Sequence, residues 1–133
     1  MNLTTRKYTD VDLSFGYHPV TGDIQKRSYE NAVKQSIRVL IASNIHDKPF
    51  HPEVRCGVRK YLFEPMNNIT QGLIKKSIED VLEYFEPRVI LNKVDVIPIE
   101  NRNTYQINIL YSIVNNPDPV NTQELELFLE RLR

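Results

Sequence analysis

Residues 105–113 set the strongest constraint on this chain. Tyr105, Ile107, Ile109, Tyr111 and Ile113 alternate with Gln106, Asn108, Leu110 and Ser112. That period of two predicts a strand with one buried face. Upstream, Val94-Asp95-Val96-Ile97-Pro98-Ile99 predicts a partner strand, and Glu100 to Thr104 is the turn between them. Pro98 has no N–H to give to a ladder, so the first strand is expected to have a free edge there. Two strands alone are rarely stable in water, so this hairpin has to pack on helices or accept further strands.

Two stretches predict those helices. From Ser28 to Ser43, the residues Tyr29, Val33, Ile37, Leu40 and Ile41 fall on one helical face, with Ser28 as N-cap and Glu30 at the positive end of the dipole. From Thr70 to Phe85, a second stripe runs through Leu73, Ile74, Ile78, Val81, Leu82 and Phe85. Lys75–Glu79 and Lys76–Asp80 are spaced to pair on its outer side. Pro87 stops this helix, because a residue before proline avoids helical backbone. Val58 to Phe63 predicts a short helix with Val58, Tyr61 and Leu62 inward.

The flanks are less regular. Residues 1–27 read as an extended arm in which Val11, Leu13 and Phe15 share a face, followed by turns at Gly16, His18-Pro19 and Thr21-Gly22-Asp23. Pro49, Pro52 and Gly57 make 45–57 a loop. Asn115 to Pro119 is a hinge. Beyond it, Asn121 and Glu124 resemble a capping box, and Leu125, Phe128, Leu129 and Leu132 predict a short C-terminal helix. The expected fold is therefore α+β: two amphipathic helices packed on a C-terminal β-hairpin, with an extended N-terminal arm and a short C-terminal helix. A chain of 133 residues suits one domain. We divide it into an arm (1–27), a helical and hairpin core (28–114) and a C-terminal segment (115–133).

Charge narrows the partners. Seventeen basic residues balance seventeen acidic ones, which argues against a dedicated nucleic-acid binder. The balance is a cancellation: residues 1–66 hold 10 basic and 7 acidic residues, and 67–133 the reverse. No apolar run nears the ~20 residues that span a bilayer, so no membrane insertion is expected. The start MNLTTRKYTD lacks a signal peptide's apolar stretch, and a single cysteine, Cys56, suits a reducing compartment. The expectation is a soluble intracellular protein.

Catalytic chemistry finds little to work with. His46, His51 and Cys56, with His18 available, match no zinc-knuckle spacing, so neither a metal nor a cofactor is expected. Glycoside hydrolysis needs two carboxylates flanking a cleft. Glu53, Glu64, Glu86, Asp95 and Glu100 are present, but no glycine-rich loop frames them and there is no Trp for sugar stacking. There is no Gly-x-Ser-x-Gly and no P-loop.

Glu86-Pro87-Arg88 is the most informative short motif. Pro87 fixes the chain direction where the second helix gives way to the hairpin. The bland reading is a helix stop with two solvated charges. The sharper one has Arg88 offering its planar fork to a carboxylate or to backbone carbonyls of a partner chain.

In this setting Glu86-Pro87-Arg88 resembles the Glu-Pro-Arg signature of the gp25-like baseplate wedge proteins of contractile-tailed phages, a family that includes sheath-initiator subunits of type VI secretion baseplates. Other landmarks fall in order. Tyr8-Thr9-Asp10-Val11-Asp12 resembles the family's Tyr-x-Asp-x-Asp stretch, and Lys48 to Gly57 its Arg-Pro-Phe-x-Pro-Glu-Phe-Gly-Cys loop. Leu62-Phe63-Glu64 matches its Leu-Phe-Glu, and Asn115-Asn116-Pro117 its Asn-Pro. One departure is Arg55-Cys56-Gly57, where the glycine follows the cysteine instead of preceding it.

The resemblance implies a structural part of the virion tail baseplate, assembled in the host bacterial cytoplasm. Its implied partners are the larger baseplate wedge subunits and the first ring of tail sheath protein, with tail tube or hub proteins as neighbours and no direct contact with nucleic acid. Glu86, Pro87 and Arg88 become the wedge-contact motif. The hairpin from about Val94 to Val114, with Ile107, Ile109 and Tyr111 along its second strand, becomes the sheath template. Arg88→Ala is expected to leave the isolated fold nearly intact and to block wedge assembly. The family's old lysozyme label is the alternative, a peptidoglycan-degrading enzyme; no catalytic constellation supports it here.

Overall fold

A computed structural model describes residues 9–16, 19–23, 26–28, 30–44, 47, 50, 51, 53, 56–114 and 122–131. The hinge at 115–119, together with His18, His46, Asn121 and Leu132, lies outside them.

The fold is α+β. A short ribbon opens it, β1 (Thr9–Val11) antiparallel to β2 (Lys26–Ser28), with Thr9 opposite Ser28. Helix α1 (Glu30–Ala42) follows, then the single turn α2 (Val58–Tyr61) and the long α3 (Asn68–Phe85). The chain closes with an antiparallel sheet in the order β3 (Val89–Ile99), β4 (Thr104–Ile113), β5 (Gln123–Glu130). Helices α1 and α3 cover one face of that sheet. Ser28 is the last residue of β2, paired with Thr9, and α1 begins two residues later at Glu30.

Both helices bury most of their expected stripes; Tyr29 lies outside the described residues and Phe85 is half-buried. Val33, Ile37, Leu40 and Ile41 of α1 meet Ile74, Ile78, Val81 and Leu82 of α3, while Leu73 stays on the rim at 42% exposure. Helix α3 starts two residues earlier than its apolar period suggests. The Asn67 side chain caps it, accepting the Thr70 N–H at 2.8 Å and satisfying one of the free donors of the first turn.

The sheet differs from the expected hairpin in two places. Strand β3 begins at Val89, five residues before the period-two signal, because its register shifts between Leu91 and Lys93. A bulge there moves the inward parity from Val89 and Leu91 to Val94 and Val96. The larger change is at the C-terminus. Residues 123–130 form a strand, not a helix, pairing along β4 from Tyr111↔Gln123 to Thr104↔Glu130. Leu125, Leu127 and Leu129 alternate with Glu124, Glu126, Phe128 and Glu130, and the open edge of β4 selects that period over the helical one. Strand β4 is therefore the centre of the sheet, and β3 and β5 are its edges.

Val11 and Leu13, in the described part of the N-terminal arm, bond to α1. The Gln35 amide donates to the Val11 carbonyl at 2.7 Å, and the Leu13 N–H donates to the Gln35 oxygen at 3.4 Å. A turn at Asp12 ends the strand, and Val11, Leu13 and Phe15 are all exposed.

Candidate interaction site at the Glu86 turn

Helix α3 ends where the Glu86 N–H donates to the Leu82 carbonyl at 3.1 Å. Its own carbonyl then accepts from Val89 N at 3.2 Å, so residues 86–89 form a tight turn with Pro87 in second place, where a fixed φ suits it. Val114 N donates to the Arg88 carbonyl at 2.8 Å and ties the turn to the end of β4. Backbone bonds thus hold the motif to both α3 and the sheet.

The side chains go further. The Glu86 side chain is 2% exposed, and Arg88 grips it with both ends of its fork: Nε to Oε1 at 2.6 Å and Nη2 to Oε2 at 2.8 Å. The Ser36 hydroxyl, on α1, donates to the same Oε2. Burial pushes the Glu86 carboxyl up, but the bonds from Arg88 and Ser36 and the Arg88 charge outweigh it and hold it below the ordinary carboxylate value. The two charges of the motif are thus paired with each other across Pro87, and their network reaches α1. Pro87 itself is exposed.

Ser36 did not figure among the sequence candidates. It lies three residues after Val33 and four before Leu40, on the flank of the α1 stripe, and only a hydroxyl in that position hints at a buried acceptor. A groove of about 430 Å³ opens beside it, lined by Asp10, Val11, Leu13, Val39 and Phe85 among others.

Ile107, Ile109 and Tyr111 are fully enclosed on the helix-facing side of β4. With β4 in the middle, β3 and β5 each pair on one side only among the described residues. The Tyr105 and Tyr111 hydroxyls are buried without a hydrogen-bond partner among the described residues.

The carboxylates weighed for hydrolysis stand on separate elements. Asp95 pairs with Lys93 at 2.6 Å, exposed Glu53 bonds His51 at 3.0 Å, and Glu64 and Glu100 are exposed. Glu86 is locked as described. Among the described residues no three His, Cys, Asp or Glu side chains gather as metal ligands, and no helix is long and apolar enough to cross a membrane. Cys56 is buried beneath α3, its thiol pushed up to about 11 by that burial, and Ser77 Oγ donates to its carbonyl. Gly57 has φ 64°, a left-handed conformation that favours glycine where the loop enters α2. That requirement accounts for a glycine directly after the cysteine.

These features define a small α+β subunit built to hold a rigid turn and a two-edged sheet. Residues 27–118 match the family model of baseplate wedge protein gp25. Baseplate wedge protein gp25 of Enterobacteria phage T4 is 30% identical over 105 residues, covering 79% of this chain and 80% of that one. The chain belongs to the gp25 baseplate wedge family. Two solved structures share the fold. One is a chain of the anti-feeding prophage baseplate (TM-score 0.73, 22% identity, covering 84% of this chain and 90% of that one). The other is a Geobacter sulfurreducens protein provisionally called a tail lysozyme (TM-score 0.69, 24% identity, covering 78% and 92%).

Proposed function

We propose that this chain is a structural subunit of the baseplate wedge of a contractile tail. The turn at Glu86-Pro87-Arg88 seats it on the larger wedge subunits, and its sheet gives the first sheath ring strands to build on. The observation that carries the reading is the match to the gp25 family across residues 27–118. The geometry supports it in two ways. A turn clamped by backbone bonds to α3 and β4, and by side chains to α1, presents the exposed Pro87 on a rigid mount. A sheet whose outer strands each pair on one side among the described residues can accept strands from other chains, with main-chain bonds supplying affinity.

The hydrolase reading finds less support. A general acid has to keep its proton near neutral pH, whereas Arg88 and Ser36 hold Glu86 ionised. Purified protein at high concentration should leave peptidoglycan turbidity unchanged. Clearing that one carboxylate substitution abolishes would replace the structural reading with the enzymatic one.

Seating on the wedge is tested with Pro87→Ala and Arg88→Lys, which keep the Glu86 charge compensated. Both should fold, by circular dichroism, and both should reduce the subunit's recovery in isolated baseplates. Wild-type recovery from both would remove the contact role from this turn.

A further inference from the structure

The face of the β3–β4–β5 sheet opposite buried Tyr105, Ile107, Ile109 and Tyr111 carries the side chains of intermediate and high exposure, and at its β5 end Phe128 and Glu130 border a groove shared with Ile41 of α1 and Val58 and Arg59 of α2. Ile97, Gln106 and Phe128 stand in register across its three strands, with Ile97 45% and Phe128 56% exposed. Ile90, at 56% exposure, extends the apolar surface along β3. Two large apolar side chains exposed on the outer strands on either side of Gln106 are costly to leave in water, and exposed apolar surface of this kind commonly marks a contact surface.

The charge on the same face is one-sided. Lys93 and Asp95 neutralise each other. On β5, Glu124, Glu126 and Glu130 point outward on either side of Phe128, and none of them has a cationic partner among the described residues. The Glu126 carboxylate takes only a neutral bond, from the Gln106 amide. Like charges two residues apart on one strand face repel. A cationic surface laid across them removes that repulsion and is steered toward them. An anionic membrane or a nucleic acid would be repelled by the same three charges.

We infer that this outer sheet face is a second docking surface, and that its occupant is a protein segment carrying an apolar anchor for the Ile97–Phe128 row flanked by Lys or Arg side chains for the β5 glutamates. The inference rests on the baseplate reading for its setting. It differs from strand addition at the sheet edges, because side chains of the face make the contact.

A photoreactive phenylalanine analogue in place of Phe128, in tails assembled with the full chain, tests it directly. The crosslinked peptide should come from another protein and carry at least two basic residues beside an apolar one. A parallel probe at Pro87 reports on wedge seating. A capture at Pro87 with none at Phe128, or a Phe128 capture lacking basic residues, overturns the inference and leaves the baseplate reading standing. No capture at either position in purified tails removes both. As a second arm, Glu124→Lys/Glu126→Lys/Glu130→Lys should lower recovery of the subunit in tails at least tenfold, and the corresponding triple change to Gln less so. Recovery of both at the wild-type level would overturn the inference, with dichroism confirming that both variants fold.

Discussion

Arg88→Ala probes the junction at Glu86, and the geometry predicts a large cost to the isolated fold. The Glu86 carboxylate is 2% exposed and takes two of its three side-chain bonds from Arg88. Removing one member of a buried pair leaves the other charge uncompensated, which typically costs about 3–5 kcal/mol. Two features lower that figure here. Arg88 is 22% exposed, so water already screens part of the pair, and Ser36 still donates in the variant. We expect a loss of ~2–4 kcal/mol at pH 7 and a fall in Tm on the order of 10 °C. A defect in wedge assembly from Arg88→Ala would then mix lost contact with lost stability, which is why the milder Arg88→Lys is the better assembly probe.

The pH dependence separates this account from a plain loss of packing. In the wild type the folded-state value lies below the ordinary 4.5, so the ionised carboxylate contributes stability above pH 4.5 that is lost as pH falls through the folded value. In Arg88→Ala the guanidinium is gone and burial remains, so the folded-state value moves above the unfolded one. The contribution then changes sign: it is favourable at low pH and is lost as pH rises. The gap between the two proteins should be widest at pH 7 and narrow toward pH 4.5. Urea unfolding followed by far-ultraviolet dichroism at both pH values measures it. A gap under ~1 kcal/mol at pH 7, or one equal at both pH values, would refute the reasoning, because a buried charge pair of this geometry predicts neither.

Three further outcomes are expected. Tyr111→Phe removes a buried hydroxyl with no partner among the described residues, so its unfolding free energy should stay the same or rise by up to ~1 kcal/mol; a loss larger than that would reveal a hydrogen bond. Asn67→Ala should cost about 1 kcal/mol in urea unfolding through the lost cap on Thr70. Cys56, with its thiol raised to about 11 and 4% exposed, should alkylate at pH 8 at least ~100-fold more slowly in native protein than in urea, as followed by mass spectrometry.

The parts legible in the sequence are those where one period fits and the others fail. Both long helices qualify, since Val33, Ile37, Leu40 and Ile41, and then Ile74, Ile78, Val81 and Leu82, are spaced for a helix and all are buried. Strand β3 was half legible. Its inward parity changes at the bulge, so any reading with a fixed period of two stops at Val94. In β5 the spacing of Leu125, Phe128 and Leu129 suits a helix, and that of Leu125, Leu127 and Leu129 suits a strand. Leu127 was the discriminating residue, because a helix would place it off the apolar stripe. What decided the matter was the unpaired edge of β4, a tertiary fact. At the site, the motif was visible but its internal pairing was not. Two residues apart, Glu86 and Arg88 read as charges on either side of a bend; their joint burial depends on α1, whose Ser36 lies 50 residues away.

The revised position of β4 also changes where a partner strand can add. Val114 N donates to Arg88 O, and Arg131 N donates to Asn103 O. Alternation from these two bonds aims the even-numbered N–H groups of β4 at β3 and the odd-numbered ones at β5. By the β4–β5 register, the odd-numbered N–H groups of β5 then meet β4, and those of 124, 126 and 128 point away from the sheet. On the other edge, Pro98 lies opposite Tyr105, at a place where β3 would otherwise aim an N–H outward. Proline there and the bulge at Leu91/Lys93 both blunt the β3 edge. Strand addition should therefore favour β5, which has neither. Glu126→Pro removes an outward N–H and should leave the subunit folded with a loss under ~1.5 kcal/mol, yet block growth of the first sheath ring. Leu127→Pro removes a ladder bond and should cost ~3 kcal/mol or more. Electron microscopy of tails, with urea unfolding of both variants, tests the pair. Normal sheath on folded Glu126→Pro tails would rule out the β5 edge as the template. Equal destabilisation by the two prolines would show that the assigned parity of the ladder is wrong.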